Sequence, residues 1–335
     1  MKAAVFHGPR DIRIEEVAVP ELESGEVLIK VHACGICGSD LHAYRYGMFE
    51  SLSMPVETGR IMGHEPSGEV VEINGEVPGI RIGDRVTASG LGGNAEFLRI
   101  PLERIETLTL IPNGVGFEEA ATVEPLATSL HAVDRSAPED GETHVIIGAG
   151  IIGLGILQVL KATADVRTIV VDLSDKRLDM ARTLGADTII NAAREDAFDK
   201  VLGITGTEEM TYLTAPTGMA DAVFDCAGLP RGFTGTPVLQ QAVSMVKQNG
   251  NVVVVALFEK PAEIDYNIVV RKGINLSGSW AWIPEDFRRS MEMIVSGTID
   301  RKSLITHRFP LDRAREAYET QLKTDEAVKI LINPV

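Results

Sequence analysis

The stretch THVIIGAGIIGLGILQVLKATA, residues 143–164, decides how the rest of the chain is read. THVIIG is an apolar run of strand length, and IIGLGILQVLKATA is an apolar run of helix length. Between them, Gly148, Gly150 and Gly153 stand in G-x-G-x-x-G spacing, with Ile152 inside the turn. Three glycines alone are weak evidence, but here they leave a strand, open a helix and are followed nineteen residues after Gly153 by Asp172, which ends TIVVD. That context predicts a dinucleotide site. Gly148 permits the tight turn, Gly150 lets the backbone approach a pyrophosphate, Gly153 lets helix and strand pack closely, and the helix N-terminus offers free N–H groups to phosphate. A carboxylate at Asp172 can accept both ribose hydroxyls and repels a 2′-phosphate, so NAD is expected over NADP, with Arg177 lying over the adenine and ribose. The thirteen residues VIIGAGIIGLGIL also invite a membrane reading, but with four glycines they are too short for a span.

Working outward, DKRLDMARTLG reads as a helix stopping at Gly185, and DTII as a third strand. ADAVFDCAG, a helix near LQQAVSMVKQNG, then NVVVVALF and INLSGSW repeat the rhythm. Strand and helix in alternation over residues 127–279 predict a doubly wound parallel sheet. Residues 1–126 read as mostly β: GEVLIKVHACG alternates with period two, SGEVVEI and GDRVTAS follow, and no helix of ordinary length is expected before EEAATVEPLATSLHAV. Residues 280–335 hold two helical runs, PEDFRRSMEMIVSG and LDRAREAYETQL, and a closing strand, AVKILIN. This tail is too small for a domain and is expected to pack on the first one. The fold class is therefore α/β, a mostly β domain beside a doubly wound one.

The bulk properties exclude several functions. At 335 residues two cores are expected, and 32 basic against 48 acidic residues leave a net charge of −16. That balance argues against nucleic acid and against an anionic membrane surface. Three cysteines build no disulfide framework, which points to a reducing, cytoplasmic setting, and the N-terminus shows no secretory signal pattern.

Two of those cysteines, Cys34 and Cys37, lie in HACGICGSDLH. Their spacing suits a redox pair as well as half of a zinc site. GRIMGHEPSGEV adds His64 and Glu65, and VEPLATSLHA adds Glu124. As an ordered set, CGICGSDLH, GHEPSGEV, GDRV, EPLATSLHA and GAGIIG resemble the zinc-dependent branch of the medium-chain dehydrogenase/reductase superfamily, the alcohol and polyol dehydrogenases. The resemblance covers nearly the whole chain. It implies a GroES-like first domain and a Rossmann second domain. It implies Cys37 and His64 as zinc ligands, Glu65 as a ligand exchanging with water, and Glu124 at the remaining ligand position; Cys34 binds no metal. Thiolate, imidazole and carboxylate suit Zn²⁺. Asp40 is expected to orient the His64 ring, His131 to be structural, and Cys226 to be a core residue. Relatives with a structural zinc carry four further cysteines after GDRV; none stands between TASG and LGGNAEFLRIP, so one zinc per chain is expected.

The resemblance further implies NAD-dependent interconversion of a secondary alcohol (a polyol, a cyclic or another non-acidic alcohol) and a ketone, in a homodimer or homotetramer. Ser39 stands at the family's proton-relay position and passes the proton by the cofactor ribose to His42. Backbone groups at Val255 and Leu257 and the stretch GSWAW meet the nicotinamide carboxamide. Where sorbitol-type enzymes carry an arginine–tyrosine pair, this chain has Ala281 and Trp282, which favours a less polar or cyclic alcohol. Tyr46, Phe49 and Trp280 are expected in the same pocket. The alternatives are an amino-alcohol dehydrogenase of L-threonine type, a zinc-free reductase of the same superfamily, and a dinucleotide-binding sensor without catalysis.

Overall fold

The computed structural model describes residues 1–49, 54–209, 216–229 and 232–335. The chain forms two compact units, Met1–Ala127 with Ile283–Val335, and Thr128–Trp282.

The first unit is organised by the strand Val27–Gly35, whose residues are nearly all buried. It pairs antiparallel with Glu65–Ile73, in a register that sets Gly35 opposite Glu65, and with Phe97–Ile100. Lys329–Asn333 joins the same strand antiparallel, Leu331 facing Gly35, and carries Ile305–Pro310 alongside it in parallel. The tail thus supplies two strands to the sheet of the first unit. Val27, Ile29, Val31, Val70, Val86 and Ile100 fill one core cluster, while Phe6, Ile36, Tyr44, Tyr318 and Ile332 belong to another.

The expectation that no ordinary helix precedes Glu118 does not hold. Gly38–Tyr46 is a nine-residue helix. Asp40 at its third position accepts the Cys37 backbone N–H at 3.1 Å, and Gly47, at φ +68°, ends it. Only Asp40, Ala43 and Tyr44 are buried along it, so no apolar stripe announces it. The single helix expected over EEAATVEPLATSLHAV is instead two, Phe117–Ala120 and Val123–Ser136.

The second unit holds six parallel strands in the order Thr188–Asn191, Arg167–Asp172, Thr143–Ile147, Ala220–Asp225, Val246–Val254, Asn275–Gly278. This is the Rossmann order, built outward in both directions from its first strand. Val145, Val223, Val252 and Ile169 are fully buried, as expected of a sheet covered on both faces. The helix Val238–Met245 ends earlier than its sequence suggests, because residues 246–250 already belong to the next strand. Two short helices, Ala197–Thr205 and Tyr266–Lys272, were not foreseen; Asp196 and Asp265 cap them. Cys226 follows the strand Ala220–Asp225 and does not lie within it. Among the described residues no helix is long and apolar enough to cross a membrane.

Candidate functional site

The register of three strands assembles the metal corner. Gly35 faces Glu65 on one side and Leu331 on the other, so Cys37, two residues past the first strand, meets His64, one residue before the second. Donor atoms of Cys37, His64 and Glu65 lie within 4.8 Å of one another, the one such group among the described residues. Gly35 is required at this place: a Cβ there would stand 1.9 Å from Glu65 Oε2.

Charge around the corner is arranged in layers. His64 Nδ1 lies 3.5 Å from Asp40 Oδ1. Burial alone would depress the His64 imidazolium, but Asp40 and Cys37 outweigh it and hold the pKa well above the usual histidine range. Glu65 Oε2 is ion-paired with Lys329, both side chains fully buried, and Lys329 Nζ also donates to the Ile36 carbonyl at 2.9 Å. Glu65 Oε1 is buried without a hydrogen-bond partner, a costly condition unless a ligand completes it. Arg301, also fully buried, is pushed down to about 10 by burial, against the pull of Glu65 and Asp300. Together the thiol, imidazole and half-satisfied carboxylate fit zinc.

Glu124 is not brought into this group. It is buried in the first turn of Val123–Ser136, outside the donors that lie within 4.8 Å of one another. Cys34 also stays out, as a fully buried thiol set against Gly63 and Gly93, where added Cβ atoms would come within 2.9 and 2.6 Å of its sulfur. Burial pushes its pKa up to about 12. Cys34, Cys37 and Cys226 all carry free thiols; Cys226 is only half-buried. Sequence reasoning missed Lys329 and Arg301. The one available signal was a lysine inside the apolar run AVKILIN.

Ser39 and His42 lie three residues apart on the helix Gly38–Tyr46, hence on one face, and both are half-buried. Tyr46 ends that helix half-buried; the Phe49 side chain lies outside the described ones. Trp280 is 62% exposed, Trp282 is half-buried, and Ala281 takes φ +54°, a left-handed backbone unusual for alanine. His131 is half-buried on Val123–Ser136.

In the second unit Gly148 has φ +103°, and its N–H donates to the Val171 carbonyl at 2.8 Å. A Cβ on Gly153 would stand 1.8 Å from the Gly148 carbonyl oxygen, whereas at Gly150, the N-cap of Ile151–Thr163, it would meet nothing within 4 Å. Ile152 is half-buried in the first turn of that helix. Asp172 ends its strand, and its carboxylate accepts the Ala149 N–H at 2.6 Å and the Ser174 N–H at 2.8 Å. Each of its oxygens keeps capacity for one more donor. Arg177 sits half-buried in the first turn of Asp175–Thr183. The Val255 N–H is already given to the Asp225 carbonyl at 3.0 Å. The Leu257 carbonyl lies against Gly228, 2.5 Å from where a Cβ would stand.

Residues 23–133 match the alcohol dehydrogenase GroES-like domain, and residues 152–296 match the zinc-binding dehydrogenase domain. Sorbitol dehydrogenase of Bacillus subtilis is 31% identical, over 100% of this chain and 97% of its own length. Erythritol/L-threitol dehydrogenase of Mycolicibacterium smegmatis is 30% identical, over 100% and 98%. The crystal structure of 2R,3R-butanediol dehydrogenase from Bacillus subtilis superposes with a TM-score of 0.84 at 32% identity, covering 100% of this chain and 99% of that one.

Proposed function

The chain belongs to the zinc-dependent medium-chain dehydrogenase family, as an alcohol dehydrogenase acting on secondary alcohols, and from that premise we propose NAD-dependent oxidation of a weakly polar or cyclic alcohol to its ketone. The observation that carries the chemistry is the convergence of Cys37, His64 and Glu65. A zinc bound there would supply Lewis-acid polarisation of the alcohol oxygen, and a bound nicotinamide would supply the hydride acceptor. Cys37 and His64 would hold the metal, with Asp40 beside the His64 ring, and Lys329 pairs with one Glu65 oxygen so that the other would be offered. A carboxylate shared in this way makes a weaker ligand than the thiolate, in keeping with exchange against water. Glu124 then acts from outside the ligand group. Ser39 accepts the alcohol proton and passes it towards His42 on the same helix face.

The choice of NAD over NADP rests on Asp172, whose carboxylate is held between the glycine turn and Ser174. Asp172→Gly is expected to weaken NAD use and relatively improve NADP; an unchanged ratio in steady-state kinetics refutes the preference. The missing arginine–tyrosine pair at Ala281 and Trp282 supports the less polar substrate. A panel of polyols, L-threonine, aliphatic and cyclic alcohols tests it. The cyclic and aliphatic members should lead in kcat/KM by about tenfold or more, the order of one unmatched polar group. A lead by sorbitol or L-threonine would reject this reading. Three free thiols favour a reducing, cytoplasmic location, and a homodimer or homotetramer is the assembly to look for by sedimentation.

A further inference from the structure

The strand order of the second unit reverses between Thr143–Ile147 and Ala220–Asp225. In such sheets a dinucleotide lies across the carboxyl ends of the strands at this switch point, one nucleotide on each half. The half bearing Gly148 and Asp172 is the adenosine side, so the loops after Ala220–Asp225 and Val246–Val254 serve the nicotinamide side. Asp225 links those two loops. Its Oδ1 accepts the N–H groups of Ala227 at 3.1 Å and Gly228 at 2.9 Å. Its backbone carbonyl accepts the N–H groups of Val255 and Ala256, both at 3.0 Å. The loops touch again where Glu259 N–H donates to the Leu229 carbonyl at 3.0 Å, and where Gly228, at φ +67°, lies against Leu257.

This arrangement is expensive for packing alone. Asp225 is fully buried, its Oδ2 has no hydrogen-bond partner, and burial raises its pKa despite the two N–H donors. An apolar residue would fill the place without that penalty. We propose that Asp225 is a positioning residue for the nicotinamide half of the cofactor: it sets loop 226–229 and loop 255–257 in one fixed arrangement, and leaves the adenosine half untouched. This inference rests on the dinucleotide reading of the second unit.

The test is calorimetric titration of the full chain with NADH and, separately, with ADP-ribose, which lacks the nicotinamide. Asp225→Ala should weaken NADH about tenfold, the order of one or two lost hydrogen bonds, with ADP-ribose affinity held within about twofold. Asp225→Asn keeps an oxygen acceptor and should recover most of the loss, a rescue that a purely ionic role would not permit. Gly228→Ala, which presses a methyl group towards the Leu257 carbonyl and leaves Asp225 intact, should give the same split; it carries the test if Asp225→Ala does not fold. Equal loss of both ligands, no loss of either, or an Asn variant as poor as Ala would overturn the proposal. If the wild-type chain binds neither ligand, the dinucleotide reading itself fails and takes this one with it.

Discussion

At the metal corner three donor side chains from two separated stretches meet, steadied by the buried charges of Asp40, Lys329 and Arg301. At the glycine turn of the other unit the site consists of backbone N–H groups and missing Cβ atoms: Gly148 adopts φ +103°, and Gly153 lies against the Gly148 carbonyl. One region is damaged by removing atoms, the other by adding them. The two also tolerate buried charge differently. Lys329 is paired with a carboxylate, whereas Lys272, equally buried, has the carbonyls of Val243 and Val246 as its hydrogen-bond partners. Burial therefore pushes the Lys272 pKa down to about 8.

The largest expected effect is subtraction at the metal corner. Cys37→Ala or His64→Ala should lower turnover on the order of 10³-fold or more, since Lewis-acid stabilisation contributes several kcal/mol. Elemental analysis should show zinc falling from one per chain to none, with NADH titration unchanged. Two zincs per wild-type chain, or full zinc in either variant, would break the assignment.

Ser39→Ala comes next. Losing a proton-relay hydroxyl should cost about 10² to 10⁴ in kcat, with zinc content and NADH affinity retained. Near wild-type turnover would remove Ser39 from the proton path.

Addition at the glycine turn is the converse experiment. Gly153→Ala drives a methyl into the Gly148 carbonyl and should destabilise the second unit by about 1–3 kcal/mol in denaturant melts, with weaker NADH binding. Zinc content should not change; if it falls in step, the two regions are coupled.

The smallest effect is in pH dependence. Because the folded pKa of Lys272 lies near 8, below its ordinary 10.5, the unfolded chain binds more protons between those values. The penalty for burying the ammonium is thus fully present below pH 8 and is relieved as pH rises towards 10.5. Its contribution is a slope of at most about 1.4 kcal/mol per pH unit. Lys272→Met should flatten the stability–pH curve in that window. Identical slopes in the two proteins would show that Lys272 stays charged when folded.

Legibility in the sequence divides along the same line. The strand–glycine turn–helix was readable because each requirement is local: a positive φ or an approach too close for a Cβ translates directly into glycine at a given spacing. The metal donors were readable only as an ordered set matched to a family, since no one of them is distinctive alone. The helix Gly38–Tyr46 was hidden because its buried face is small and partly polar, including Asp40. Lys329 was hidden because a lysine within a terminal strand carries no local mark of its partner.

By itself, then, the sequence determined the two-part α/β organisation, the glycine turn with Asp172, and the inventory of thiol, imidazole and carboxylate groups suited to zinc, all properties of residue type and short-range spacing. Only the tertiary structure decided that Glu65 stands within reach of Cys37 and His64, and that Lys329 holds its other oxygen. Those outcomes depend on Gly35 pairing with Glu65 and with Leu331. Strand register is an agreement between distant segments, here up to 293 residues apart where Lys329 meets Ile36, and a slip of one residue would turn Glu65 to the other face.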